Sequence, residues 1–319
     1  MTATGRIDTH HHIVPSFYRD YLWRCDVRDA GGRELPPWSE DEALAAMDRH
    51  GIATGIASIS MPGTHFGDDA AARAMSRRCN EFAADLVRRR PERWGAFAVL
   101  PLPDVAGALE EAAYALDVLQ LDGVVLLANH GGCYLGDPRF DALFDELDRR
   151  RAVVFIHPTI PPGMSQSGLS LPAMLFEFTF DTTRAIANLV YSGTLERCPN
   201  LRLVASHGGG TVPYIAWRLK LVQQSEPWSA RVPKGVRHYL RTIYYDTALT
   251  TSPSALAALQ AFADPSRIVF GSDYPYATEQ VVGACIHGLK RHVESHAQFP
   301  GAAVDRANAL ALFPRLSKY

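Results

Sequence analysis

Short apolar runs alternate along the chain with longer stretches in which apolar residues recur every three or four positions. The short runs are "GRIDTHHH" (Gly5 to His12), "GIATGIASIS" (Gly51 to Ser60), "WGAFAVLPL" (Trp94 to Leu102) and "LDGVVLLAN" (Leu121 to Asn129). They continue with "AVVFIHP" (Ala152 to Pro158), "LRLVASHGG" (Leu201 to Gly209), "IYYDTAL" (Ile243 to Leu249) and "IVFGSDYP" (Ile268 to Pro275). Each is rich in Val, Ile or aromatic residues and bounded by Gly, Pro or Asp, which reads as a strand. The longer stretches read as helices: in "SEDEALAAMDRHG", Ser39 supplies the N-cap, Glu42 stands three residues on, and Gly51 ends the element. "DDAAARAMSRRCNEFAADLVRRRP" and "DPRFDALFDELDRR" follow the same pattern. Near-continuous apolar strands between helices imply a parallel sheet covered on both faces. Eight such units predict an α/β fold, a (β/α)8 TIM barrel formed by residues 1–319 as a single domain. An open doubly wound sheet is the alternative arrangement.

Two stretches break the rhythm. "PSFYRDYLWRCDVRDAGGRELPPW" follows strand 1 and "TIPPGMSQSGLSLPAMLFEFTFDTT" follows strand 5. Both read as inserted βα-loops, the segments from which barrel active sites are built. The aromatic residues of the first, Phe17, Tyr18, Tyr21 and Trp23, suit either a substrate ring or a partner subunit.

Composition narrows the classes of function. The 32 Lys and Arg nearly balance the 34 Asp and Glu, so nothing points to nucleic acid. No apolar run reaches the ~18 residues of a membrane helix, and "MTATGRID" lacks the pattern of a secretory signal. The 5 cysteines are scattered without a C-x-x-C pair, as expected of reduced packing residues in a cytoplasmic protein.

The candidate chemistry sits at the strand ends. Alternation along a strand puts His10 and His12 on one face and His11 on the other. His157 closes the fifth strand, His207 the sixth and Asp273 the eighth. Any one of these could be a hydrogen-bonded strand cap; five at one end of a barrel form a site. Imidazoles with a carboxylate suit zinc or a similar divalent ion with one position open, and the lack of thiolates favours a catalytic over a structural centre.

The motifs "DTHHHIVP", "FIHP", "SHGGG" and "FGSDYP", in this order, resemble the amidohydrolase superfamily over essentially the whole chain. The branch they are most similar to is that of non-oxidative decarboxylases related to aminocarboxymuconate semialdehyde decarboxylase. "SMPGTHFGDDAAAR", "DGVVLLANHGGCYLGDP" and "FDTTRA" resemble its 6-methylsalicylate decarboxylase group. The resemblance implies His10, His12, His157 and Asp273 as ligands of one divalent metal, with His207 as acid/base beside its open position. No lysine lies near the strand ends before His157, which disfavours the two-metal centre bridged by a carboxylated lysine. Some aromatic-acid decarboxylases carry glutamate where this chain has His10; the extra imidazole favours zinc, with manganese the alternative. No organic cofactor is implied. The implied activity is decarboxylation of a salicylate-type acid, for example 6-methylsalicylate to 3-methylphenol and CO2, with His207 or Asp273 delivering the proton. Hydrolysis of a lactone or amide by metal-bound hydroxide is the alternative, and a non-catalytic metal scaffold a third. The implied partners are a small aromatic carboxylate and a second copy in a homodimer, with neither nucleic acid nor membrane.

Further candidates lie in loops. His65, Phe66, His130 and Arg184 are candidate substrate contacts, the arginine as a bidentate carboxylate partner. Asp246 reads as structural, and His11 as hydrogen-bonded towards the helix layer.

Overall fold

A computed structural model describes residues 5–166 and 168–319. Ser167, within the insert after strand 5, and residues 1–4 lie outside the described residues. Eight parallel strands, Arg6–His12 (β1), Ile52–Ser58 (β2), Trp94–Val99 (β3), Gly123–Leu127 (β4), Val153–His157 (β5), Arg202–Ala205 (β6), Tyr244–Asp246 (β7) and Ile268–Val269 (β8), pair in sequence order. A doubly wound sheet would reverse its order about a central first strand. Here the two ends meet instead. Thr9 N donates to Phe270 O at 2.9 Å, Asp273 N to His10 O at 2.8 Å and His12 N to Tyr274 O at 2.7 Å. These bonds join β1 to the chain leaving β8, so the sheet closes as a barrel.

The main helices are Ser16–Arg24 (α1), Glu40–Arg49 (α2), Asp69–Arg89 (α3), Val105–Ala113 (α4), Asp141–Arg149 (α5), Glu177–Tyr191 (α6), Val212–Val222 (α7), Pro253–Phe262 (α8) and Glu279–Ser295 (α9). Ser39 caps α2 through the Glu42 N–H, as expected. Among the described residues no helix is long and apolar enough to cross a membrane. All five cysteines are free, Cys79 and Cys198 buried and the others half-buried.

The last three strands are shorter than their apolar runs. β6 stops at Ala205 and β8 at Val269, which leaves His207 and Asp273 in the turns beyond them. The two inserts also carry more structure than loops. The first holds α1 and a two-stranded ribbon, Asp29–Ala30 with Arg33–Glu34. In the second, single turns at Met164–Gln166 and Ala173–Leu175 lead into α6, so "EFTFDTT" is helical. The ribbon tip and the second insert touch above the barrel mouth. Gly31 O accepts from Met174 N at 3.0 Å, and a Cβ on Gly32 would stand 2.3 Å from that of Pro172. With φ of +90° at Gly32, that close approach requires glycine.

Phe17, Tyr18 and Tyr21 pack within the chain. Tyr18 and Tyr21 are buried and donate to the carbonyls of Gly63 and Thr64, and Phe17 packs on Phe82 of α3. The two tyrosines anchor α1 to the loop after β2. Trp23 alone of the four is exposed.

Candidate metal centre and cavity

β1 ends as alternation requires. His10 and His12 turn into the barrel, while His11 turns away and bonds Asp8 Oδ2 through Nδ1 at 3.0 Å. Below them, the His10 ring stands edge-on to Phe155, which stacks on Phe97, so an apolar floor underlies the pair. His157 arrives from β5 and Asp273 from the turn after β8. One ligand atom from each of His10, His12, His157 and Asp273 lies within 4.8 Å of the others, and all four residues are buried. The group could hold one metal ion.

The hydrogen bonding shows what the cluster accommodates. His10 and His12 present Nε2 atoms 2.9 Å apart, and each is 3.1 Å from Asp273 Oδ1. Two imidazole nitrogens so close need a proton or a cation between them. His157 Nε2 is buried and has no partner, so a lone pair is committed to the same point. The outer nitrogens are all engaged: His10 Nδ1 with Asp246 Oδ2 at 2.7 Å, His12 Nδ1 with Ser58 Oγ at 2.8 Å, His157 Nδ1 with the Pro158 carbonyl at 2.8 Å. Outer bonds of this kind fix the tautomer that turns Nε2 to a metal. The donor set of three imidazoles and one carboxylate therefore fits a divalent cation.

The electrostatics agree. Burial pushes the imidazoles down, and for His157 the neighbouring histidines add to it, holding its pKa well below the usual value. Burial also takes His12 to about 4. For His10 the opposing charges of Asp246 and Asp273 outweigh burial and raise it to about 10, so the carboxylates around it favour a positive charge at this point. Burial alone would raise the Asp273 carboxyl; His10, His12 and His207 hold it well below the carboxylate range.

His207 stands beside this group, its Nε2 3.6 Å from Asp273 Oδ2 and its Nδ1 without a partner. Asp246, on β7, serves both neighbours: one carboxylate oxygen takes the His10 ring and the other accepts from the backbone N–H of His207 at 2.9 Å. His207 and Asp273 have φ of +52° and +62°, left-handed values that non-glycine residues reach at a cost of about 1–3 kcal/mol. Backbone held in this way aims both side chains into the mouth.

A cavity of about 430 Å³ opens above the cluster, with His157, His207 and Asp273 in its floor. Met61, Leu175, Phe178 and Tyr276 give it apolar and aromatic walls. Arg33, from the ribbon, is its single lysine or arginine, and it pairs with no carboxylate among the described residues. The structure places His65, Phe66, His130 and Arg184 outside this lining. His65 bonds Asp69, Phe66 packs on Tyr21, His130 lies against Phe140 in a neighbouring chamber, and Arg184 stands 3.6 Å from Glu177. Neither Asp246 nor Arg33 is marked as a site residue by the sequence. Asp246 finds its partner 236 positions away, and Arg33 is one polar residue in an irregular insert.

A closed parallel barrel with a His/His/His/Asp cluster at the strand ends defines a metal-site hydrolase or lyase scaffold. The chain belongs to the amidohydrolase family, whose sequence profile matches residues 7–315. It is 36% identical to the 6-methylsalicylic acid decarboxylase of Aspergillus aculeatus, over 98% of this chain and 97% of that one. A solved amidohydrolase II structure superposes with a TM-score of 0.88 at 28% identity, covering 97% of this chain and 99% of that chain. The 5-carboxyvanillate decarboxylase of Novosphingobium aromaticivorans, crystallised with manganese and a nitrobenzoic acid, shares the fold. Its TM-score is 0.84 at 22% identity over 98% of this chain and 96% of its own.

Proposed function

We propose that the protein is a metal-dependent, non-oxidative decarboxylase of a small 2-hydroxylated aromatic acid, with 6-methylsalicylate as the substrate and 3-methylphenol and CO2 as products. The observation that carries it is the layout of one cavity: an unpaired arginine at the rim, aromatic walls, and His207 with Asp273 at the floor beside the cluster. An unpaired cation suits an anionic acid and offers nothing to a lactone or amide. The full-length kinship with a 6-methylsalicylic acid decarboxylase narrows the acid.

In this reading His10, His12, His157 and Asp273 hold one divalent ion, zinc by the count of imidazoles and manganese as the alternative. Bound there, the ion would supply positive charge for the anionic acid. The chain does the rest. Arg33 draws in the carboxylate, and Phe178 and Tyr276 flank the ring and exclude water. His207 holds a proton on the imidazole facing Asp273 and delivers it to the ring carbon that bears the carboxylate. We take the histidine as the donor, because Asp273 is one of the four residues that hold the ion. Protonation converts the ortho-hydroxyl carbon to a ketone-like centre; the carbon–carbon bond then breaks, CO2 leaves, and its electron pair restores the aromatic ring. The hydroxyl proton lost on the way returns from His207 or solvent, so the step is balanced without an oxidant.

A panel of hydroxybenzoates tests this. Acids with an ortho hydroxyl should lose CO2, and in D2O the phenol should carry one deuterium at the vacated carbon. Equal turnover of 3-hydroxybenzoate, which lacks the ortho group, would contradict the mechanism. The same reading takes the protein to be a cytoplasmic homodimer. Tyr214 and Trp217 on α7 are 86% and 66% exposed, an aromatic face that a second copy would cover. Trp217→Glu should then move the sedimentation of the protein from dimer to monomer; a monomeric parent would contradict it.

A further inference from the structure

The barrel mouth has a second chamber, of about 470 Å³, over the ends of β2 to β5. It adjoins the metal-side cavity across the loop after β2, where Met61 lines one and Pro62 the other. Leu102, Val125 and Leu127 give it aliphatic wall, Thr64, Asn129 and Thr159 line it as well, and no Lys, Arg, Asp or Glu among the described residues does. His130 lines it too, at 8% exposed, and its buried Nε2 has no hydrogen-bond partner among the described residues. His65, the other imidazole there, is already satisfied by Asp69 and by the Gly67 N–H.

A buried ring nitrogen left without a partner costs about 1–3 kcal/mol unless a ligand completes it. We propose that this chamber is a binding site for a small uncharged phenol, held by its hydroxyl on His130 and by its ring against the aliphatic walls. The choice of ligand rests on the decarboxylase reading, because the phenol is that reaction's product. The chemistry of the walls separates product from substrate. A carboxylate here would meet no cation and would be desolvated without compensation, whereas a phenol needs one polar partner and an apolar surface. A neutral imidazole offers both a donor and an acceptor to a hydroxyl. Burial, with a smaller contribution from His65, holds His130 down to about 3, so it is neutral at working pH. The volume falls in the range of about 300–1,000 Å³ typical of small-molecule sites.

Two measurements test the site. Calorimetric titration of the metal-loaded full chain with 3-methylphenol should show a binding event that is weakened at least tenfold in His130→Phe and largely recovered in His130→Gln. Unchanged binding in His130→Phe would overturn the proposal. Crystals of the unmutated protein soaked in 3-bromophenol should place the anomalous bromine signal in the chamber beside His130, whether or not it is also found near the cluster. Bromine only beside the cluster, or nowhere, overturns it. Decarboxylation without bromine in the chamber defeats this inference alone. Bromine in the chamber of a protein that decarboxylates no hydroxybenzoate defeats the functional reading and leaves the site.

Discussion

At the scale of single residues, the cluster depends on groups that would not themselves touch the metal. Asp246 binds the His10 ring and the His207 backbone N–H at once, so Asp246→Asn should weaken metal retention about 10–100-fold, as loss of an outer partner does. Competition with a chelator measures it, and unchanged retention would show that His10 needs no such support. His207→Asn should keep the metal and lose about 10²–10⁴ in kcat, the usual worth of a positioned acid; metal loss instead would make His207 a ligand. Arg33→Met should raise KM about tenfold or more with a smaller change in kcat, the signature of lost ground-state binding. Of these residues, the histidines and Asp273 were legible because each is a polar group at the end of an apolar run, and the barrel brings those ends together. Alternation alone separated His11 from its neighbours. Asp246 also ends an apolar run, but a lone aspartate in "IYYDTAL" reads as a cap until the fold sets it 2.7 Å from His10. Arg33 was invisible because only the meeting of two inserts turns it into a cavity wall.

At the scale of elements, the eight strands and the capped helices follow from periodicity, and the misjudged elements are the irregular ones. α1 begins directly after Pro15, without a side-chain cap, and is only 9 residues long, so its apolar spacing is brief. The start of α6 is rich in Phe and Thr, which favour strands, yet its buried Asp181, Thr182, Ala185, Ile186 and Leu189 fall at helical spacing. Tertiary packing overrides the local preference. A tight junction fixes α6 to the His207 turn: a Cβ on Gly210 would stand 2.1 Å from the Thr179 carbonyl, and its φ is +65°. Gly210→Ala should therefore destabilise the protein by roughly 2–4 kcal/mol in chemical denaturation, with activity falling more steeply than stability because the turn carries His207. A loss below about 0.5 kcal/mol would show that the junction can relax.

At the scale of the whole molecule, the barrel gathers side chains from four strands and their following turns, and a bound cation would tie both ends of the sheet together. β1 carries His10 and His12, and the chain leaving β8 carries Asp273, across the seam where the barrel closes. Metal should therefore raise the thermal midpoint, by about 4 kcal/mol of stabilisation at a thousandfold excess over Kd; an unchanged midpoint in scanning calorimetry would contradict a site at the seam. The central claim is the reaction. Metal-loaded protein given 2-hydroxy-6-methylbenzoate should release CO2 and 3-methylphenol in equal amounts, as followed by gas-phase CO2 and chromatography. Failure to release either from this acid or its hydroxybenzoate relatives, together with turnover of lactones, would contradict it.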